Sequence, residues 1–278
     1  MKIAVLLTCF NRRLKTISCL KSLYDAKIPA GYEFDVYLVD DGSTDGTKQA
    51  VTSEFPNVKV ITGSGDLYWN RGMVLAWERA IAHDDYDFYL WLNDDVILYN
   101  SSLECLIRDH NREPNSIICG SVQSGKDKQI TYGGSIPSGP KIVPNGEAQK
   151  CIEFNGNVVL VPKYVYQNIG ILDSVYIHAI GDFDYAMRAY RKNISSFVAS
   201  EYVGTCESHD SAPAWCLPET NIFKRVKSLY SPLGNSHPYY FFIYEKRNFG
   251  IGTAVKHYVS IHLRLLFPVV WNWRKTSW

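Results

Sequence analysis

The stretch YLWLNDDVIL, Tyr89 to Leu98, sets four apolar residues in front of an asparagine and two adjacent carboxylates, then turns apolar again. A short, unbroken apolar run of this kind reads as a strand buried on both faces of a parallel sheet. The two acids at its end repel each other, and burying them without partners is expensive. A cation or a set of hydrogen-bond donors must meet them.

Outward from that stretch, apolar runs rich in β-branched or aromatic residues recur at Ile3–Leu7, Phe34–Val39 and Val58–Ile61, each bounded by Gly, Asn or Asp. Between them lie helical stripes, Leu14, Ile17, Leu20, Leu23 and Tyr24, then Met73, Ala76, Trp77 and Ala80. Strand, helix, strand, helix predicts an α/β fold whose mainly parallel sheet has helices on both faces. Open sheets of this class bind ligands outside the carboxyl ends of their strands. The polar strand ends TCFN (Thr8 to Asn11), VDDGSTDGT (Val39 to Thr47) and NDDV (Asn93 to Val96) are therefore expected along one edge. Beyond Pro114 the pattern becomes mixed or antiparallel. GGSIPSGPKIVPNG (Gly133 to Gly146) reads as loop, NGNVVLVP (Asn155 to Pro162) as a buried strand, and GDFDYAMRAYRK (Gly181 to Lys192) as a helix with acids in its first turn.

A chain of 278 residues can bury the core of one large domain, or of a domain with an appendage. It is 46% apolar, 21% charged and 14% aromatic, the composition of a globular protein. Lys and Arg number 29 against 28 Asp and Glu, so the broad basic footprint of a nucleic-acid binder is missing. Seven cysteines without a CxxC argue against a disulfide framework or a zinc knuckle, and for a reducing compartment. MKIAVLLTCFNRR reads as a first strand rather than a signal peptide, and no window reaches the ~18 uninterrupted apolar residues of a spanning helix. A cytoplasmic protein is expected.

In VDDGSTDGT the leading acids can accept hydrogen bonds from a ligand's ring N–H or hydroxyls, while Ser43, Thr44 and Asp45 suit the turn and the cap of the next helix. A calcium loop starting at Asp41 fails, because a strand precedes it and its twelfth position is Thr52 rather than Glu. NDDV suits a divalent cation shared between carboxylate and phosphate oxygens. In GDFDY, Asp182 and Asp184 could act as a general base and an acceptor-orienting group, or could only favour the helix N-terminus. His209 in CESHDS sits between Glu207 and Asp210, company that suits a metal ligand. In the tail, Ala254 to Phe267 projects a broad apolar side opposite Lys256, His257 and Arg264, and Trp271, Trp273, Arg274, Lys275 and Trp278 follow. That mixture fits a membrane interface, and equally a helix docked on its own domain or on a second subunit.

Taken in order, LLTCFNR, VDDGSTDGT, LNDDV, GDFDYAMR and the later histidine resemble family 2 glycosyltransferases, inverting enzymes with the GT-A fold, from Met1 to about Ser211. GDLYWNRGMVLAWERA and FNGNVVLVPKYVYQNIGILDS resemble the bacterial members that build surface polysaccharide, including rhamnosyl- and galactofuranosyltransferases. The resemblance implies a catalytic domain at 1–221, divided into a nucleotide-binding half (1–114) and an acceptor half (115–221), with a helical, basic and aromatic extension at 222–278. It implies Thr8, Phe10, Asn11, Asp40 and Asp41 as nucleotide contacts, Asp41 partnering the base N–H. Asn93, Asp94 and Asp95 stand where the family has its DxD motif, with Asp95 as ligand to Mn²⁺ or Mg²⁺, Asp94 on ribose or metal, and His209 completing the metal site. Asp182 takes the place of the catalytic base, with Asp184 and Arg188 toward the acceptor. Asp66, Trp69, Asn70, Asn155 and Gly156 are expected to line the donor-sugar pocket.

The expected reaction moves a sugar from a UDP- or dTDP-sugar to a hydroxyl of a growing bacterial glycan or lipid-linked oligosaccharide. It would run in the cytoplasm, at the inner face of the membrane if the tail binds lipid, or in a homodimer if the tail pairs with itself. A sugar nucleotidyltransferase would need a Gly-rich phosphate loop after the first strand, and TCFNRR has no glycine. A non-catalytic carbohydrate-binding protein would leave Asp95 and Asp182 dispensable.

Overall fold

Strands that are apolar on both faces need cover from two sides, and β1 (Lys2–Cys9) illustrates how this chain supplies it. Ile3, Val5, Leu7 and Cys9 point into one core with Leu20, Leu23, Leu38, Leu90 and Ile118, while Ala4 and Leu6 point into a second with Met73, Trp77, Tyr89, Trp91 and Tyr185. The computed structural model describes every residue except 138, 209–212, 235 and 270–278. The sheet lies in the larger of two compact units, formed by Met1–Ser174 and Asp182–Ser208.

The remaining strands are β2 (Glu33–Asp40), β3 (Lys59–Thr62), β4 (Phe88–Leu92), β5 (Ile97–Leu98), β6 (Ile117–Gln123), β7 (Ile130–Tyr132), β8 (Gly134–Ser135), β9 (Gln149–Cys151), β10 (Glu153–Phe154), β11 (Val158–Pro162) and β12 (Ser196–Thr205). The helices between them are α1 (Arg13–Asp25), α2 (Thr47–Glu54), α3 (Tyr68–His83), α4 (Ser102–Arg112), α5 (Lys163–Ile169) and α6 (Gly181–Arg191). The main sheet has the order β3-β2-β1-β4-β11-β6-β12-β5.

The first four strands are mutually parallel, with Cys9 level with Asp40. β11 runs antiparallel to both β4 and β6, and β12 is parallel to β6. The carboxyl ends of β1, β2, β4, β6 and β12 therefore meet the amino end of β11 at one edge. This is the mainly parallel sheet expected, with its second half mixed.

Gly133–Gly146 departs from the expected loop, because β8 pairs with β10 and Ser135 bridges to Lys141. Gly134 permits this, since a Cβ there would lie 2.7 Å from Val198 Cγ2.

The smaller unit comprises Val175–Gly181 and His209–Trp278. It contains a 3-10 turn at Ala214–Cys216 and helices α7 (Ile222–Leu229), α8 (Pro238–Phe249) and α9 (Ile251–Leu266). Its core is Trp215, Cys216, Leu229 and Leu265, with Ile222 and Ile261 against them. Asn221 caps α7 by accepting the Lys224 N–H, and Gly250, at φ 88°, turns α8 into α9.

Helix α3 lies close to β1 because Gly72 has no side chain. A Cβ there would overlap the hydroxyl and Cβ of Thr8. Gly72→Ala is expected to cost about 1–3 kcal/mol in urea unfolding. Thr8→Ala in the same chain, which removes two of the three nearest atoms, should restore part of the loss as a double-mutant coupling.

Candidate active site

Both acids of Asn93-Asp94-Asp95 meet a cation at the end of β4. One Arg12 nitrogen, Nη1, lies 3.0 Å from Asp94 Oδ1 and 3.0 Å from Asp95 Oδ2. Lys15 Nζ is 3.6 Å from the same Asp95 oxygen. Both cations come from the turn after β1 and the first turn of α1, so the β1 edge neutralises the β4 edge. Asp94 is buried and also accepts from the Thr16 hydroxyl at 3.3 Å. Burial, opposed by Arg12, raises its carboxyl from the ordinary 3.8 to about 6. The other Asp95 oxygen accepts from the Cys206 thiol at 3.6 Å, which brings the end of β12 to the same place. Burial and then Asp95 push that thiol up to about 12, so it remains a neutral donor.

The neighbouring turns are knitted together in the same way. Asn11, held at φ 51°, donates its N–H to Ser43 Oγ and accepts from the Thr44 N–H at 2.8 Å. Asp40 accepts from the Ser43 N–H, and Asp45 from the N–H groups of Arg13 and Thr47. Phe10 projects from this turn, 52% exposed. Asp41 is buried, with Oδ1 accepting from Gly65 N and Oδ2 from Leu67 N and Tyr68 N, at 2.8 to 3.0 Å. Its carboxylate thereby fixes the entry to α3. Asp66 in that loop is exposed and accepts from Ser64 Oγ.

Trp69 follows directly. Its indole Nε1 donates to Asn93 Oδ1 at 2.7 Å, and its ring lies over Gly156, where a Cβ would come within 2.5 Å of Cη2 and Cζ2. The Gly156 N–H donates to Asp182 Oδ2 at 2.9 Å, and Phe183 N donates to Oδ1 at 2.9 Å. Desolvation, opposed by these two N–H groups, raises the half-buried Asp182 carboxyl to about 6. Asn93 N also donates to Asn157 O at 2.9 Å, closing the link between the ends of β4 and β11. Asn155 pairs with the backbone of Gly133.

The structure thus brings Thr8, Phe10, Asn11, Asp40, Asp41, Trp69, Asp94, Asp95, Gly156 and Asp182 to one edge of the sheet. Three other expected residues have framework contacts. Asn70 is fully buried and donates to Asp173 O at 2.8 Å. Asp184 is buried and pairs with Arg188 Nε at 3.0 Å, while Arg188 also donates to the carbonyls of Ile169 and Ile171 and stacks on Tyr185. His209 lies outside the described residues. Arg12 and Lys15 were missed by sequence reasoning, although the NRR that ends TCFNRR placed a cation at the right strand end.

Residues 4–173 match the profile of Glycosyl transferase family 2. The chain belongs to this family. Over 123 residues it is 25% identical to an uncharacterized glycosyltransferase, YfnE, of Bacillus subtilis, a match spanning 43% of this chain and 30% of that relative. Among solved structures, the fold is similar to mannosyltransferase PcManGT from Pyrobaculum calidifontis in complex with GDP-Man and Mn²⁺. The TM-score is 0.58 at 15% identity, over 95% of this chain and 70% of that one. It is likewise similar to S. aureus TarS 1–349 in complex with UDP-GlcNAc, with a TM-score of 0.58 at 14% identity, over 97% of this chain and 88% of that one. The GT-A architecture is common to all three.

A divalent ion at the end of β4 would need oxygen donors there. Among the described residues, no three His, Cys, Asp or Glu side chains gather as a metal site. Asp94 and Asp95 are nonetheless hard oxygen donors of the number Mg²⁺ or Mn²⁺ takes when substrate phosphates complete the shell. They fit such an ion, provided Arg12 gives up its hold on Asp95.

Removing Arg12 leaves Asp94 buried beside Asp95 with less positive charge. A raised folded-state pKa makes the native chain bind its proton more tightly than the unfolded chain, so the associated stability is present below about pH 4 and is lost as pH rises through the folded value. Arg12→Gln should raise the Asp94 value further. Urea unfolding is expected to show a loss of about 1–3 kcal/mol near pH 8 and a smaller loss near pH 5.

Proposed function

We propose that the chain is an inverting glycosyltransferase that moves a sugar from a nucleoside-diphosphate donor to a hydroxyl of a glycan or lipid-linked oligosaccharide. The observation that carries this reading is Asp182. Its carboxyl is raised to about 6, at the same strand edge as Asp94 and Asp95, and Gly156 and Trp69 tie it to the Asn93 beside them.

In this reading the turns after β1 and β2 hold the nucleotide, with Thr8, Phe10, Asn11 and Asp40 facing it. Asp41 shapes that site chiefly through the loop it pins. Arg12 and Lys15 offer positive charge to the diphosphate, and the Trp69 face beside Gly156 offers a wall for the donor sugar. Asp182 takes the proton from the acceptor hydroxyl as its oxygen attacks the anomeric carbon, and the bond to the diphosphate breaks on the opposite face, so configuration inverts. When bound, Mn²⁺ or Mg²⁺ supplies Lewis-acid neutralisation of the leaving diphosphate, with Asp95 and Asp94 as the residues that would hold it. A carboxyl titrating near 6 suits a base that must be ionised at neutral pH and still accept a proton in the transition state. Asp184 and Arg188 support the base by holding α6 to the last residue of α5 and the chain just after it.

A screen of nucleotide sugars for slow donor hydrolysis would identify the donor without a known acceptor. With that donor, kcat/KM should rise between about pH 5 and 7 with an inflection near 6, because protonated Asp182 cannot act as a base and protonated Asp94 is a poorer ligand. Asp182→Asn should lower kcat by about 10²- to 10⁴-fold and leave donor affinity within a few-fold. A variant that kept its activity would remove Asp182 from the mechanism.

A further inference from the structure

Amphipathic helices of globular proteins turn their apolar side inward, and α9 does so over a narrow strip only. Ala254 and Leu265 are buried and Ile261 packs against the small core. Around the helix from that strip, Val255, Tyr258, Val259, Leu263 and Leu266 form a continuous stripe that is 41 to 54% exposed. On α7 of the same unit, Phe223 is 84% and Val226 41% exposed. Patches of this kind on one small unit mark a surface with an occupant.

Charge identifies the occupant. Residues 222–278 contain nine Lys and Arg against one acid, Glu245, a net of +8, while residues 1–221 carry 20 against 27, a net of −7. Glu245 is itself buried and paired with His257. Every exposed charge described on α7, α8 and α9 is therefore positive, among them Lys224 and Lys227 beside Phe223 and Val226, and Lys256 at the margin of the α9 stripe. A twofold dimer across this surface would set like charge against like, because both subunits present the same patch. An anionic lipid surface complements the patch, with the apolar stripe entering the acyl boundary and the lysines at the headgroups.

We propose that the unit containing α7 to α9 is a peripheral membrane anchor that docks the stripe of α9 onto anionic lipid. No helix among the described residues is long and apolar enough to cross a bilayer, so the contact is one of lying on the surface. The inference stands apart from the assignment of Asp182 and the donor site, since it uses none of those residues.

The test is sedimentation of the full chain with vesicles of phosphatidylcholine, with and without phosphatidylglycerol. Binding is expected only to the anionic vesicles and is expected to weaken as salt is raised. Replacing Lys224, Lys227 and Lys256 together by Gln should lower the partition coefficient by about 100-fold, from the usual contribution of a basic residue near an anionic surface. Val259→Ser with Leu263→Ser should lower it in the same vesicles with an unchanged far-ultraviolet circular dichroism spectrum. Equal binding to neutral vesicles, or none to anionic ones, would overturn the proposal. So would a dimer in free solution that the Val259→Ser, Leu263→Ser pair converts to monomer while vesicle binding is absent.

Discussion

The indole of Trp69 is the contact on which the arrangement of the site depends. On one side it donates to Asn93, the residue before the two carboxylates, and on the other its ring lies on Gly156, whose N–H holds Asp182. The ring fits only because position 156 has no side chain. Asp41 fixes the loop that delivers Trp69 by taking three backbone N–H groups. Acids from β2, β4 and α6, far apart in the chain, are thereby held in one register by a single side chain and the loop before it.

Electrostatics explains why this edge needs the turn after β1. Asp94 loses its hydration on burial, and a neighbouring carboxylate makes its ionised form costlier still. Arg12 bridges the pair and Lys15 adds a second positive group. The donors that stabilise this edge, Arg12 and Lys15, are the positive groups that the proposed function assigns to an anionic diphosphate. Asp182 is treated differently. Desolvation pushes its carboxyl up to about 6 against the opposing pull of its backbone N–H partners, close to the range a general base requires.

Much of this was legible in the sequence, and the reasons differ by element. The strands β1, β2 and β4 were legible because unbroken apolar runs ending in Asn or Asp have few other readings, and the shared edge followed from their parallel order. β12 was not, because SFVASEYVGT interrupts its apolar pattern with Ser and Glu at a bulged stretch. Asp184 and Arg188 read as acceptor-side helpers. Their i,i+4 spacing on α6 could have signalled the buried ion pair that they form. The pairing of Arg12 with Asp94 spans 82 residues and depends on strand register, which composition and periodicity do not encode. The periodicity of α9 was visible, but which part of its apolar side the small core covers depends on packing against Trp215 and Leu229.

In the proposed function these separated acids form one donor site, with the base beside it. A crystal structure of the chain with a nucleoside diphosphate would decide it. The diphosphate is expected beside Asp95, Arg12 and Lys15, the nucleoside against the turns after β1 and β2, and Asp182 across the Trp69 ring from the leaving oxygen. A nucleotide bound away from that edge, with Asp182 opening onto a different cavity, would contradict it.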